Sequence, residues 1–79
     1  MRRPTLTPNA EGFSRLAAHA GIADNYLALA NRIGVNASTV SRIMRGQHEP
    51  SGRFIAAVLN EFGISWFHEL FDVHGGKTA

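Results

Sequence analysis

Cysteine is missing from this 79-residue chain. Its absence excludes a disulfide framework, a cysteine-based zinc site and thiol chemistry, and fits a reducing cytoplasm, the compartment expected here. No apolar run approaches the roughly 20 residues needed to span a bilayer. The opening stretch MRRPTLTPNA is basic but holds no apolar segment, so it does not read as a secretory signal. No alternating apolar–polar run, internal repeat or glycine-rich phosphate loop occurs. The four histidines, His19, His48, His68 and His74, do not fall at metal-ligand spacing. The six acidic residues are scattered and set up no Ser–His–Asp order. No metal, cofactor or small-molecule ligand is implied, and no enzymatic activity is expected.

Lysine is scarce too. It occurs once, at Lys77, and the other seven of the eight cations are arginine, whose planar fork suits phosphate and guanine edges. The net charge is only +2, but the distribution is uneven. Four arginines lie between Arg32 and Arg53 with a single acid, Glu49, whereas Glu61, Glu69 and Asp72 then face only Lys77. A basic middle and an acidic end point to a one-sided electrostatic footprint, against the plainer alternative of a solvated surface with chance clustering.

A hydrophobic share of 44% is that of a globular chain, and this length makes one domain with a modest core. Residues 1–8, with Pro4 and Pro8, read as a flexible arm, residues 9–73 as the folded domain and residues 74–79 as a frayed tail. The first helix starts after Asn9, carries Phe13, Leu16, Ala17 and Ala20 at helical spacing, and stops at Gly21. The second begins at Asp24 or Asn25 and ends at Ile33, with Gly34 supplying the positive φ of a helix C-terminus. The third starts after the cap Asn36 and ends at Gly46. Ser51 caps a fourth with an apolar stripe of Phe54, Ile55, Val58, Leu59 and Phe62, closed by Gly63. SWFHELF, residues 65–71, is a short fifth helix capped by Ser65. The expected class is therefore all-α, five helices packed in layers.

The third helix is unusual in composition. On a wheel of about 100° per residue, Val40, Ile43 and Met44 take one side, while Ala37, Ser38, Ser41, Arg42 and Arg45 take the other. Small side chains at the leading end let a helix lie close to a surface, hydroxyls can donate or accept, and arginine can reach a guanine edge or a phosphate.

The stretch YLALANRIGVNASTVSRIMR, residues 26–45, resembles the helix-turn-helix of the phage-repressor and Cro type, the XRE-like family. Ala30 stands where the two helices cross, Gly34 makes the turn, Val35 plugs the corner, and Leu29, Ile33, Val40 and Ile43 hold the pair to the rest. The likeness extends from Phe13 to Phe71, through GQHEPS and FIAAVLNEFGISWFHELF, and is similar in detail to small actinobacterial and actinophage regulators. It implies a five-helix repressor-like DNA-binding domain. Residue by residue, Ala37, Ser38 and Arg42 match base-reading positions, and Ser41 joins them on the same face. Asn36 matches a cap that also touches phosphate, and Arg45 a loop position on the DNA backbone. Thr39 and Gln47 complete the expected backbone set with Tyr26, which stands where the family often has a phosphate-binding glutamine. The sequence leaves Arg32 and Arg53 open between backbone contact and plain solvation, and Arg2 and Arg3 open between a minor-groove arm and an idle one.

Two departures accompany the likeness. Gly21 to Gly34 is two residues longer than usual, so the turn between the first two helices must bulge. GISWFHELF also holds one extra residue, Trp66, read as pointing outward into a dimer contact or else as packing on the first or fourth helix. The implied function is a sequence-specific transcriptional regulator, a repressor in the simplest case, working as a homodimer on a roughly palindromic operator in double-stranded DNA. Seventy-nine residues leave no room for an inducer-binding or self-cleaving domain, so control is expected from protein level, competition or a partner. The alternative is a protein-interaction module, such as an antitoxin or bridging factor, which usually carries an extra partner-binding segment.

Overall fold

In the computed structural model, residues 4–74 are described. Four side chains decide where the main helices begin, because each accepts an amide that the first helical turn leaves without a partner. Asn9 accepts from the Gly12 amide and starts α1, Ala10–Ala20. Asn25 accepts from Ala28 and starts α2, Tyr26–Ile33. Asn36 accepts from Ser38 and starts α3, Ala37–Met44. Ser51 accepts from Phe54 and starts α4, Gly52–Phe62. The caps Asn9, Asn36 and Ser51 follow from the sequence alone, since a cap and the amide that donates to it lie within three residues, and Asn25 decides the start of α2 that the sequence leaves between Asp24 and Asn25.

The chain's end departs from that reading. The fifth helix opens as one 3-10 turn, Ile64–Trp66, and continues as α5, Phe67–Leu70. Ser65 lies inside the 3-10 turn and no side chain caps it. Phe71 does not extend the helix; it begins a strand, β2, Phe71–His74, which pairs antiparallel with β1, Thr5–Pro8. Thr5 stands opposite His74 and Pro8 opposite Phe71. All-α is therefore corrected to a mainly helical domain closed by a two-stranded sheet, and part of the segment read as an arm is strand. The signal is weak because β1 has four residues and its partner lies at the far end of the chain. Pro8 is tolerated because each strand of a two-stranded sheet is an edge strand. Side-chain bonds tie the two ends as well: Thr7 Oγ1 lies 2.8 Å from His74 Nε2, and Asn9 Nδ2 donates to Asp72 Oδ2 at 3.2 Å. Residues 1–3 and 75–79, with Arg2, Arg3 and most of the expected tail, lie outside the described residues.

The core sits where all five helices meet. Phe13, Leu16, Val40, Phe54, Val58, Leu70 and Phe71 are buried in it. Phe71 meets the Phe13 and Phe54 rings edge-on, at centroid distances of 5.8 and 6.3 Å, a favoured aromatic geometry. Thus β2 contributes to the core through its first residue and leaves Asp72, Val73 and His74 exposed. Helix α1 lies against α5 so closely that Gly12 is buried facing the Glu69 carbonyl. This contact fixes the chain ends and leaves α2 and α3 to be positioned by Leu29, Ala30, Val40 and Ile43.

Candidate nucleic-acid interface

The turn between α2 and α3 is built from local rules. Gly34 has φ of 74°, the left-handed region that a side chain disfavours. The Gly34 and Val35 amides both donate to the Ala30 carbonyl, at 2.9 and 3.1 Å. Ala30, 2% exposed, keeps the crossing close, and Val35 packs against the core from the corner. At the other end of α3, the Gln47 and His48 amides converge on the Arg42 carbonyl at 2.8 and 3.3 Å. The helix is thus short and pinned at both ends.

Its surface divides by angle. Val40 and Ile43 are buried and Met44 half-buried, while Ser38 and Arg42 are exposed on one ridge. Ser41 and Thr39 flank the ridge, each half-buried. Ala37 does not stand on the outer side assigned to it: it is half-buried and packs against the core. The cause is the helical repeat, since seven residues are nearly two turns and set Ala37 on the same edge as Met44. Asn36, Arg45 and Gln47 are exposed around the helix ends. Tyr26, 40% exposed, lines a cleft of about 380 Å³ between α1 and α2, with Asn25 and Met44.

Ion pairing separates the arginines. Arg15 pairs with Glu69 at 2.9 Å, joining α1 to α5. Arg32 pairs with Glu61 at 2.7 Å and lies 5.5 Å over the Phe62 ring, joining α2 to α4. The acid in the basic stretch, Glu49, accepts the Leu6 amide of β1 at 3.3 Å. Among the described residues, Arg42, Arg45 and Arg53 have no carboxylate in ion-pair range. All three belong to α3, its C-cap or the first turn of α4. Arg53 lines a hollow of about 270 Å³ with Asn36, Thr39 and Ser51, beside the start of α3. The sequence could not separate Arg32 from Arg53, because pairing depends on partners that only the fold brings close.

Trp66 is half-buried and meets His19 of α1 at a centroid distance of 5.4 Å. Part of the ring is therefore packed within the chain, against α1 and the edge of the core. Next to it, Ile64 is 79% exposed.

A family model described as Helix-turn-helix matches residues 25–67. The chain belongs to this helix-turn-helix family, of the phage-repressor and Cro type. The match begins at the cap of α2 and ends in α5, so the matched segment includes both the exposed ridge and Arg42, Arg45 and Arg53. The family is one of DNA-binding domains, and DNA is the partner that membership supports. No curated protein and no solved structure matches the chain significantly. No described helix is long and apolar enough to cross a membrane.

Proposed function

We propose that this protein is a sequence-specific transcriptional regulator, in its simplest form a repressor, that inserts α3 into the major groove of its operator. One observation carries the reading: on a domain whose Arg15 and Arg32 pair with Glu69 and Glu61, the arginines without an ion pair among the described residues, Arg42, Arg45 and Arg53, lie on α3, at its C-cap and at the start of α4, around an exposed Ser38–Arg42 ridge. The major groove, about 12 Å wide, admits one helix. Ser38, Ser41 and Arg42 face the bases, and the Ala37 methyl gives clearance at the leading end. Tyr26, Asn36, Thr39, Arg45 and Gln47 hold the DNA backbone, joined by Arg53. Phosphate contacts set register and base edges set sequence.

A homodimer places two such helices about 34 Å apart and requires a roughly palindromic site. Ile64, 79% exposed beside Trp66, supports a dimer contact at the 3-10 turn. Ile64→Asp should shift sedimentation equilibrium from dimer to monomer while circular dichroism stays unchanged. A dimer that survives the substitution would place the contact elsewhere.

The deciding experiment is selection from a random duplex pool, with fluorescence anisotropy across salt on the winners. The reading expects one motif with dyad symmetry. Absence of any motif, together with weak salt-independent binding, would leave the protein-interaction module as the better reading. Arg45→Ala should weaken binding to all sequences alike and reduce the slope of log K against log salt by about one unit. An unchanged slope would remove Arg45 from the backbone set.

A further inference from the structure

The amide and the hydroxyl of Ser38 converge on one atom. Asn36 Oδ1 lies 2.9 Å from Ser38 N and 2.7 Å from Ser38 Oγ. The orientation of the carboxamide follows from chemistry: the backbone N–H can only donate, so the Asn36 atom that faces it must be the oxygen. That oxygen carries no proton, so the short contact to Oγ must run from the hydroxyl to Asn36. A hydroxyl has one proton and two lone pairs. Its proton is committed, and Ser38 meets anything outside the protein as an acceptor. Ser41, three residues on, makes no such bond among the described residues and keeps both capacities.

In the major groove the donors are the exocyclic amino groups, N6 of adenine and N4 of cytosine; N7, the guanine O6 and the thymine O4 only accept. Resting on the reading of α3 as the recognition helix, we propose that Ser38 determines specificity by accepting a hydrogen bond from a base amino group, and that Asn36 is the positioning residue that sets this polarity. Turning the hydroxyl round to serve a carbonyl would break its bond to Asn36. The discrimination is then about the worth of one neutral hydrogen bond, roughly three- to tenfold in affinity. Asn36 keeps its two N–H donors for phosphate, so the same residue serves register and readout.

Every base pair carries one amino group in the major groove, so the test must remove atoms rather than exchange letters. Selection with the full chain and with Ser38→Ala first identifies the operator position that Ser38→Ala alone flattens. At that position the amino group is deleted by replacing adenine with purine, or cytosine with pyrimidin-2-one. The partner's carbonyl oxygen is deleted in a separate duplex. Loss of the amino group should weaken the wild-type protein by roughly three- to tenfold and Ser38→Ala by under about twofold, and loss of the carbonyl should weaken neither by more than about twofold. Asn36→Asp, whose carboxylate still accepts both Ser38 donors, should bind all sequences more weakly yet keep the preference at this position. Asn36→Ala also loses the phosphate donors and the cap and should bind all sequences more weakly, but because it frees the hydroxyl it should in addition flatten the motif, at that position alone.

A penalty that follows the carbonyl instead of the amino group overturns the proposal, as does a selected motif that Ser38→Ala leaves unchanged at every position. A preference that survives Asn36→Ala removes Asn36 from its positioning role. Selection that yields no motif overturns the regulator reading, and this inference with it.

Discussion

Gly12→Ala is expected to destabilise the domain by about 3 kcal/mol or more, although alanine is the better helix former. In an exposed helix the exchange stabilises by about 1 kcal/mol. At position 12 the added Cβ would lie 1.8 Å from the Glu69 carbonyl oxygen and 2.8 Å from its carbon. Both are backbone atoms and cannot rotate aside. Helix α5 would have to retreat, and Leu70 and Phe71, each buried, would move with it. Overpacking of a filled core costs about 1–3 kcal/mol and occasionally more, and a clash with main chain belongs at the upper end. A domain of this size is stable by only about 4–12 kcal/mol, so the loss is a large share of the total. Urea unfolding should show a lower midpoint at unchanged slope. Gly52→Ala is the matched control, since a Cβ there meets nothing within 4 Å. If Gly12→Ala unfolds no earlier than the wild type, the close approach of α1 and α5 is wrong.

Arg42→Ala should cost binding roughly 1–3 kcal/mol, about 5- to 150-fold, and relax the operator at one base position. Stability should stay within about 0.5 kcal/mol of the wild type. That separation is possible because the side chain is exposed and has no carboxylate partner among the described residues. The end of α3 is closed by the Arg42 carbonyl, which accepts two amides whatever the side chain is. Arg32→Ala offers the contrast: it removes an ion pair and a ring contact, so it should touch stability slightly and specificity not at all. Anisotropy on the selected site and a repeat selection measure both variants. An Arg42→Ala protein with the same affinity and the same motif would take Arg42 out of the base-reading set.

The local grammar of the chain was legible without coordinates. Asn9, Asn36 and Ser51 announce helix starts, and Gly21, Gly34 and Gly63 announce stops, because each signal acts over three or four residues. The helix-turn-helix is legible for the same reason: Ala30, Gly34 and Val40 lie within ten residues of one another, and their sizes already dictate a close crossing and a tight turn. The wheel of α3 likewise exposes Ser38 and Arg42. The same wheel, followed through its full repeat, sets Ala37 beside Met44, seven residues on, and so away from the outer side first assigned to it.

The tertiary structure decided what depends on distant partners. β1 carries half-buried Leu6 and Pro8 but no pattern long enough to declare a strand, and its pairing appears only when α1 and α5 bring the two chain ends together. Gly12 looks like an ordinary helix glycine until the Glu69 carbonyl arrives from across the domain. Arg15, Arg32, Arg42, Arg45 and Arg53 are one letter in the sequence, and each carries the same charge. Folding places carboxylates beside the first two and leaves the other three around α3. Charge is a property of the residue, but whether it is available to a ligand depends on the through-space Coulomb neighbourhood, which only the folded chain defines.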